Sequence, residues 1–207
     1  MKACAGWCRI LPFLVSVALA ACSPPGPQAA SLQEQSIENP GSRLVRIDID
    51  RGAVRIAGTP DDAVKVSAQL RYPADSDYDV AESPDEIRVH ARAPKRALRS
   101  PEELPIVVEV LVPSGTPVVV EAFDGLVELD SLDGRVEVDS ASADIRAADL
   151  HGTALLRTGR GDTTVQTSSG DIRLIGEHGV LSVENSSGNI AATTIMGTVR
   201  FTGRLGA

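Results

Sequence analysis

The residues able to do chemistry are few, and their spacing limits what that chemistry can be. Asp75, Asp77, Asp79 and Glu86 repeat the 1, 3, 5 and 12 spacing of the oxygen ligands in a calcium loop. Val80 stands where such a loop needs glycine, Pro84 interrupts it, and no helical periodicity flanks it. The expectation is therefore a solvated acidic hairpin loop rather than a metal site. His90, His151 and His178 form no His-x-x-x-His pair, so zinc is not expected either. A Gly-x-Ser-x-Gly elbow and a glycine-rich loop ending in Lys-Ser or Lys-Thr are both absent. Arg160-Gly161-Asp162 has the form of an adhesion tripeptide, but its glycine and aspartate recur as a turn pattern, at Gly170-Asp171 and, with asparagine, at Gly188-Asn189. Asp144, Asp162, Asp171 and Asn189 fall on those turns and divide between two edges, so they form no carboxylate cluster on one strand face. No catalytic residue, cofactor or metal is expected.

Cys22 is different. Lys2 and Arg9 precede an apolar run from Leu11 to Leu19, too short to span a bilayer. The run ends Leu19-Ala20-Ala21-Cys22, which resembles a bacterial lipobox, in which the cysteine is fatty-acylated and becomes the new N-terminus. Residues 1–22 are read as a lipoprotein signal peptide. Cys4, Cys8 and Trp7 leave with it, so the mature chain has one cysteine and can form no internal disulfide. Residues 23–42 open with Ser-Pro-Pro-Gly-Pro and lack periodicity, which predicts a tether of roughly 60 Å when stretched. Ser23 after the cysteine resembles an outer-membrane sorting residue. The expected location is the bacterial envelope, outside the cytoplasm, with the membrane engaged through the lipid.

The elements that must position everything else follow a nine-residue rhythm. Slots spaced by nine from Gly125 to Gly206 hold glycine in nine of ten cases, with Ala143 the exception. Eighteen glycines in 207 residues would put about one there by chance. Two and four residues after each slot come apolar or small positions: Val127 and Leu129, Val136 and Val138, Ile145 and Ala147, and onward to Val199 and Phe201. Polar residues lie between them. Each unit reads as a short alternating strand closed by a turn. If consecutive units paired, Glu128 would face Glu137. If every second unit paired, Glu128 would meet Arg146 and Asp139 would meet Arg157. The second arrangement predicts an all-β, two-sheet solenoid of about 18 residues per coil.

Residues 43–123 are less regular but still strand-like at Leu44–Ile49, Ala53–Ile56, Val64–Val66, Glu86–Val89 and Ile106–Val112. They are expected to form imperfect first coils of the same core, continuous with the regular repeats of 124–207, with an acidic loop from Tyr72 to Glu86 and a basic one from Arg92 to Arg99. Asp50-Arg51-Gly52-Ala53-Val54-Arg55-Ile56, Val112-Pro113-Ser114-Gly115-Thr116 and the Gly-Asp-Ile and Gly-Asn-Ile units resemble the bacterial putative-adhesin family of β-strand repeats. That family is similar to the head-GIN domain of putative autotransporter adhesins. The resemblance covers about residues 43–207. It implies a right-handed, pectate-lyase-like β-helix and a cell-surface role, and it carries no catalytic residues.

Twenty basic against 28 acidic residues give a net charge of −8, and −10 without residues 1–22, which disfavours nucleic acid as a partner. The function expected is a non-catalytic surface lipoprotein, an adhesin or display scaffold meeting a surface glycan or an envelope protein. Two alternatives stand beside it: an envelope-stress sensor or scaffold, and a glycan-acting β-helix enzyme. Gly206 opens a further unit that Ala207 ends, and nothing after Gly197 resembles a polar cap. End-to-end self-association, or further coils beyond this sequence, is expected from that.

Overall fold

A computed structural model describes residues 30–39, 43–94 and 104–203. The signal segment with Cys22, the start of the expected tether and most of the basic stretch lie outside these residues. The described chain is all-β, without a helix. In order it comprises β1 (Ser31–Glu38), β2 (Leu44–Thr59), β3 (Ala63–Leu70), β4 (Asp77–Glu82), β5 (Glu86–Arg92) and β6 (Ile106–Pro113), then β7 (Val118–Leu132), β8 (Val136–Arg160), β9 (Thr163–Gln166), β10 (Ser169–Glu184) and β11 (Ser187–Thr202). They make one mostly parallel sheet that does not close, in the order β1-β3-β6-β2-β7-β8-β9-β10-β11, with β5 also beside β2 and β4 beside β5.

From β7 onward every parallel pairing has the same offset, 18 residues: Val118 pairs with Val136, Ile145 with Thr163, Ser169 with Ser187. The pairing of every second unit is therefore correct. Glu128 lies beside Arg146 in the ladder and bonds it at 3.5 Å. Arg157 Nη1 lies 3.5 Å from Glu137 Oε1 and 3.9 Å from Asp139 Oδ2, all within β8. Straight β-chain over 18 residues would span about 60 Å. β8 must therefore bend back over itself.

The inward positions read from the repeat form the core as far as Val183, whereas Ile190, Ala192 and Val199 are only half-buried and Phe201 is exposed. Val127, Val138, Ile145, Leu156, Thr163, Val165, Leu174 and Leu181 are all buried, with Val, Ile and Leu interleaved and no aromatic ring among them. Burying each such side chain contributes about 1.5–3 kcal/mol. Glycine fills the slots mainly because backbones stack there. A Cβ on Gly125 would sit 1.9 Å from the Gly52 carbonyl oxygen, and one on Gly170 would sit 2.2 Å from that of Gly152. Four non-glycine residues, Ser131, Asp149, Thr167 and Asn185, adopt φ of 48–55° and mark one corner every 18 residues. Side chains stitch the corners vertically: Ser168 Oγ accepts from Leu150 N at 3.1 Å, and Ser186 Oγ from Ser168 N at 3.1 Å.

Residues 43–123 share the core, but not in the simple succession of coils expected. β2 lies between two later segments. Its first half pairs with β5 and β7, and its second half with β6 and β7, at an offset of 73 residues to β7. β3 and β1 then add antiparallel beyond β6, and β4 adds antiparallel beyond β5. Two expectations are corrected here. Ser31–Glu38, read as tether, is an edge strand. It carries six polar residues and anchors only Ile37 in the core, so no apolar alternation betrays it. The acidic stretch read as a loop is a turn at Tyr72–Ser76 followed by strand β4.

Candidate functional site

Strand alternation turns every second residue outward, and the register decides which outward residues become neighbours. The 73-residue offset sets Asp48 of β2 beside Glu121 of β7, and the 18-residue offset sets Glu121 beside Asp139 of β8. Their inward neighbours Ile47, Val120 and Val138 are fully buried, which pins the facing of all three. Three carboxylates on adjacent strands repel. Cations offset this: Arg46 Nη1 donates to Glu121 Oε1 at 2.7 Å, and Arg157 stands beside Asp139. His90 Nδ1 is 3.8 Å from Asp48 Oδ2.

Next to this row Phe123 is 62% exposed, whereas no aromatic ring is fully buried among the described residues. It sits between the ladder pairs Ala122–Ser140 and Asp124–Ser142, beside Ala141. Gly159 packs on Ala141 so closely that a Cβ there would lie 2.8 Å from the Ala141 carbonyl oxygen. A large ring followed by two minimal residues leaves a notch. Two open clefts of about 570 and 590 Å³ meet there, sharing Phe123, Asp139 and Ala141. The first takes in the carboxylate row with Arg46, His90 and Arg92. The second takes in Ser142, Thr158, Arg157 and Arg160.

A groove of about 560 Å³ elsewhere on the sheet is walled by Arg55, Glu109, Glu128 and Arg146. Its charges are engaged with one another: Arg55 bonds Glu128 at 2.8 Å and Glu109 at 3.0 Å. The hydrogen bonds that Arg55 donates to those carboxylates, Glu128 first, raise the Arg55 pKa. It offers a ligand few unpaired groups.

The residues singled out from sequence disperse. Asp77 and Asp79 point to solvent from β4, while Glu86 on β5 is held by Arg46 at 3.3 Å and Arg88 at 2.7 Å. Among the described residues no group of three or more His, Cys, Asp or Glu is placed to hold a metal. In Arg160-Gly161-Asp162 the aspartate is structural: Asp162 Oδ1 accepts from Val180 N at 2.8 Å, and Asp162 N donates to Asp144 Oδ1 at 2.9 Å. Asp171 and Asn189 stack in register on their corner.

Two groupings escaped sequence reasoning. The row of Asp48, Glu121 and Asp139 depends on an offset of 73 that no repeat announces. Ser169 Oγ, His151 and Asp149 stand in hydrogen-bonded sequence, with Nδ1 to the serine at 2.7 Å and Nε2 to the aspartate at 3.0 Å. The 18-residue offset, which puts Ser169 on His151, was the available signal. This trio is on an exposed corner and lines none of the clefts or the groove above.

No family model and no curated protein matches the chain. Among solved structures it is similar to a putative cell adhesion protein from Clostridium sporogenes ATCC 15579, at 8% identity and a TM-score of 0.42, over 84% of this chain and 100% of that one. It is also similar to putative adhesins from Bacteroides fragilis NCTC 9343 and Parabacteroides distasonis ATCC 8503, each at 11% identity and a TM-score of 0.31, over 84% of this chain and 98% of theirs. Overlaps this loose transfer neither fold nor function.

Proposed function

We propose that this chain is a non-catalytic surface lipoprotein, acylated at Cys22, whose strands wind as a right-handed β-solenoid that presents a clefted face for adhesion. Right-handedness follows from the near-universal hand of parallel crossovers. The constant 18-residue offset supports winding, because each strand returns to the same column. The observation that carries the reading is the exposed Phe123 between two clefts, set on strands whose inward residues are fully buried. A rigid array with an exposed ring set between two clefts presents a binding surface already organised, at low ordering cost.

The row of Asp48, Glu121 and Asp139 favours a second reading, cleavage of a glycan lying in the first cleft. One experiment separates them. Bacteria displaying the full chain are layered on immobilised glycans and cell-wall fragments, with released reducing sugar measured in parallel. Retention without release supports adhesion, release supports the enzyme, and neither defeats both. The anchor is tested by fatty-acid labelling of the full chain, which should disappear in Cys22→Ser. Labelling that survives refutes the lipobox.

A further inference from the structure

We infer that Phe123 is the stacking platform of a subsite for a neutral saccharide, with one sugar ring on its face and the adjoining residues in the two clefts. The inference rests on the adhesion reading and names its ligand class. Three features converge on it. The first is the setting of the ring: Phe123 projects among Ala141, Asp124 and Ser142, while the other large apolar residues of the two clefts, Ile49, Val119 and Ile175, are buried or half-buried. A protein partner would need a contiguous apolar patch to gain comparable area. A pyranose needs only one ring, because its C–H face is weakly positive and an aromatic face is weakly negative.

The second feature is the mixed rim. A sugar hydroxyl both donates and accepts. Carboxylates can only accept and guanidiniums can only donate, so a rim holding both can take a hydroxyl in either sense. Asp139 belongs to both clefts, lies beside the ring and keeps a 63% exposed side chain. Arg157 on the next turn reaches the same region with its donors.

The third feature is net charge. Six carboxylates face four guanidiniums across the two clefts, so an anionic polysaccharide meets repulsion. Each cleft has the volume of an ordinary small-molecule site, and their junction at Phe123 lets a chain of sugars continue from one to the other.

The test uses the full chain in detergent, titrated with cellotetraose and chitotetraose as neutral probes, polygalacturonate as the anionic probe and a random dodecapeptide library as the protein-type probe. Binding of a neutral probe is expected, weakened at least tenfold by Phe123→Ala and retained in Phe123→Trp. Because the ring is exposed, Phe123→Ala should leave the melting temperature within about 2 °C of the parent. A variant that binds the neutral probe as well as the parent overturns the subsite while leaving adhesion standing. Preference for polygalacturonate, or selective enrichment of peptides, also overturns it. Binding to none of the probes overturns the saccharide inference, and the display experiment above then decides the adhesion reading separately.

Discussion

Gly125 and Gly115 both have positive φ, 128° and 77°, yet only one lacks room for a side chain. A Cβ at Gly125 would collide with the Gly52 carbonyl, whereas at Gly115 nothing lies within 4 Å. Gly115→Ala should therefore cost only the conformational term, about 1 kcal/mol. Gly125→Ala should cost at least about 2 kcal/mol more, because two backbones must separate. Urea midpoints compare them, and equal losses would refute the stacking explanation. Tyr78 supplies a residue-level pH dependence. It is half-buried on β4, and desolvation, helped by the Asp79 charge, raises its pKa. The folded state then keeps the phenolic proton where the unfolded chain releases it. Stability is fully present below about pH 10 and falls as pH rises through the folded-state value. Tyr78→Phe should flatten that alkaline decline; an unchanged slope in denaturant titrations at pH 9–11.5 would rule out the phenol as its source.

At the scale of the strand, Val138 and Glu137 are adjacent residues with opposite fates. Val138 is fully buried, whereas Glu137 faces outward among Arg135 and Arg157 at 3.3 and 3.5 Å. Val138→Asp should cost several kcal/mol through an unpaired buried charge, and Glu137→Gln less than about 1 kcal/mol. Comparable melting shifts would reverse the assigned facing. This alternation, like the 18-residue pairing, was legible because the repeat states it in glycines, in Val and Ile, and in charges such as Glu128 and Arg146. β1 and β4 were illegible for a physical reason. Edge strands bury little, so Ser31–Glu38 and Asp77–Glu82 can remain polar and resemble tether and loop. The candidate site was only partly legible. Phe123 was visible as a residue but not as an exposed one, and Asp48 reaches Glu121 only through an insertion that no local pattern encodes.

Taken whole, the sheet has mostly polar flanks at one end, with Leu32 the exposed exception on β1, and an apolar flank at the other. β1 and β4 present Glu34, Gln35, Ser36, Asp77, Asp79 and Glu82, residues that discourage further pairing. β11 pairs only with β10 among the described residues. Its inward Ile190, Ala192 and Val199 are half-buried, and Phe201 is 55% exposed, where the residues paired with them on β10, Ile172, Leu174, Leu181 and Val183, are buried. Ile195 and Met196 are 75% and 62% exposed on the same strand. An unpaired edge with this composition templates strand addition, and a second copy offers a strand of identical register and apolar period. The full chain in detergent should therefore self-associate as its concentration rises, to an extent that Phe201→Lys and Met196→Lys together reduce. The lysines lie at exposed positions, so the melting temperature should hold while association falls. Sedimentation that gives one monomeric species for the parent across a hundredfold concentration range would refute association through β11.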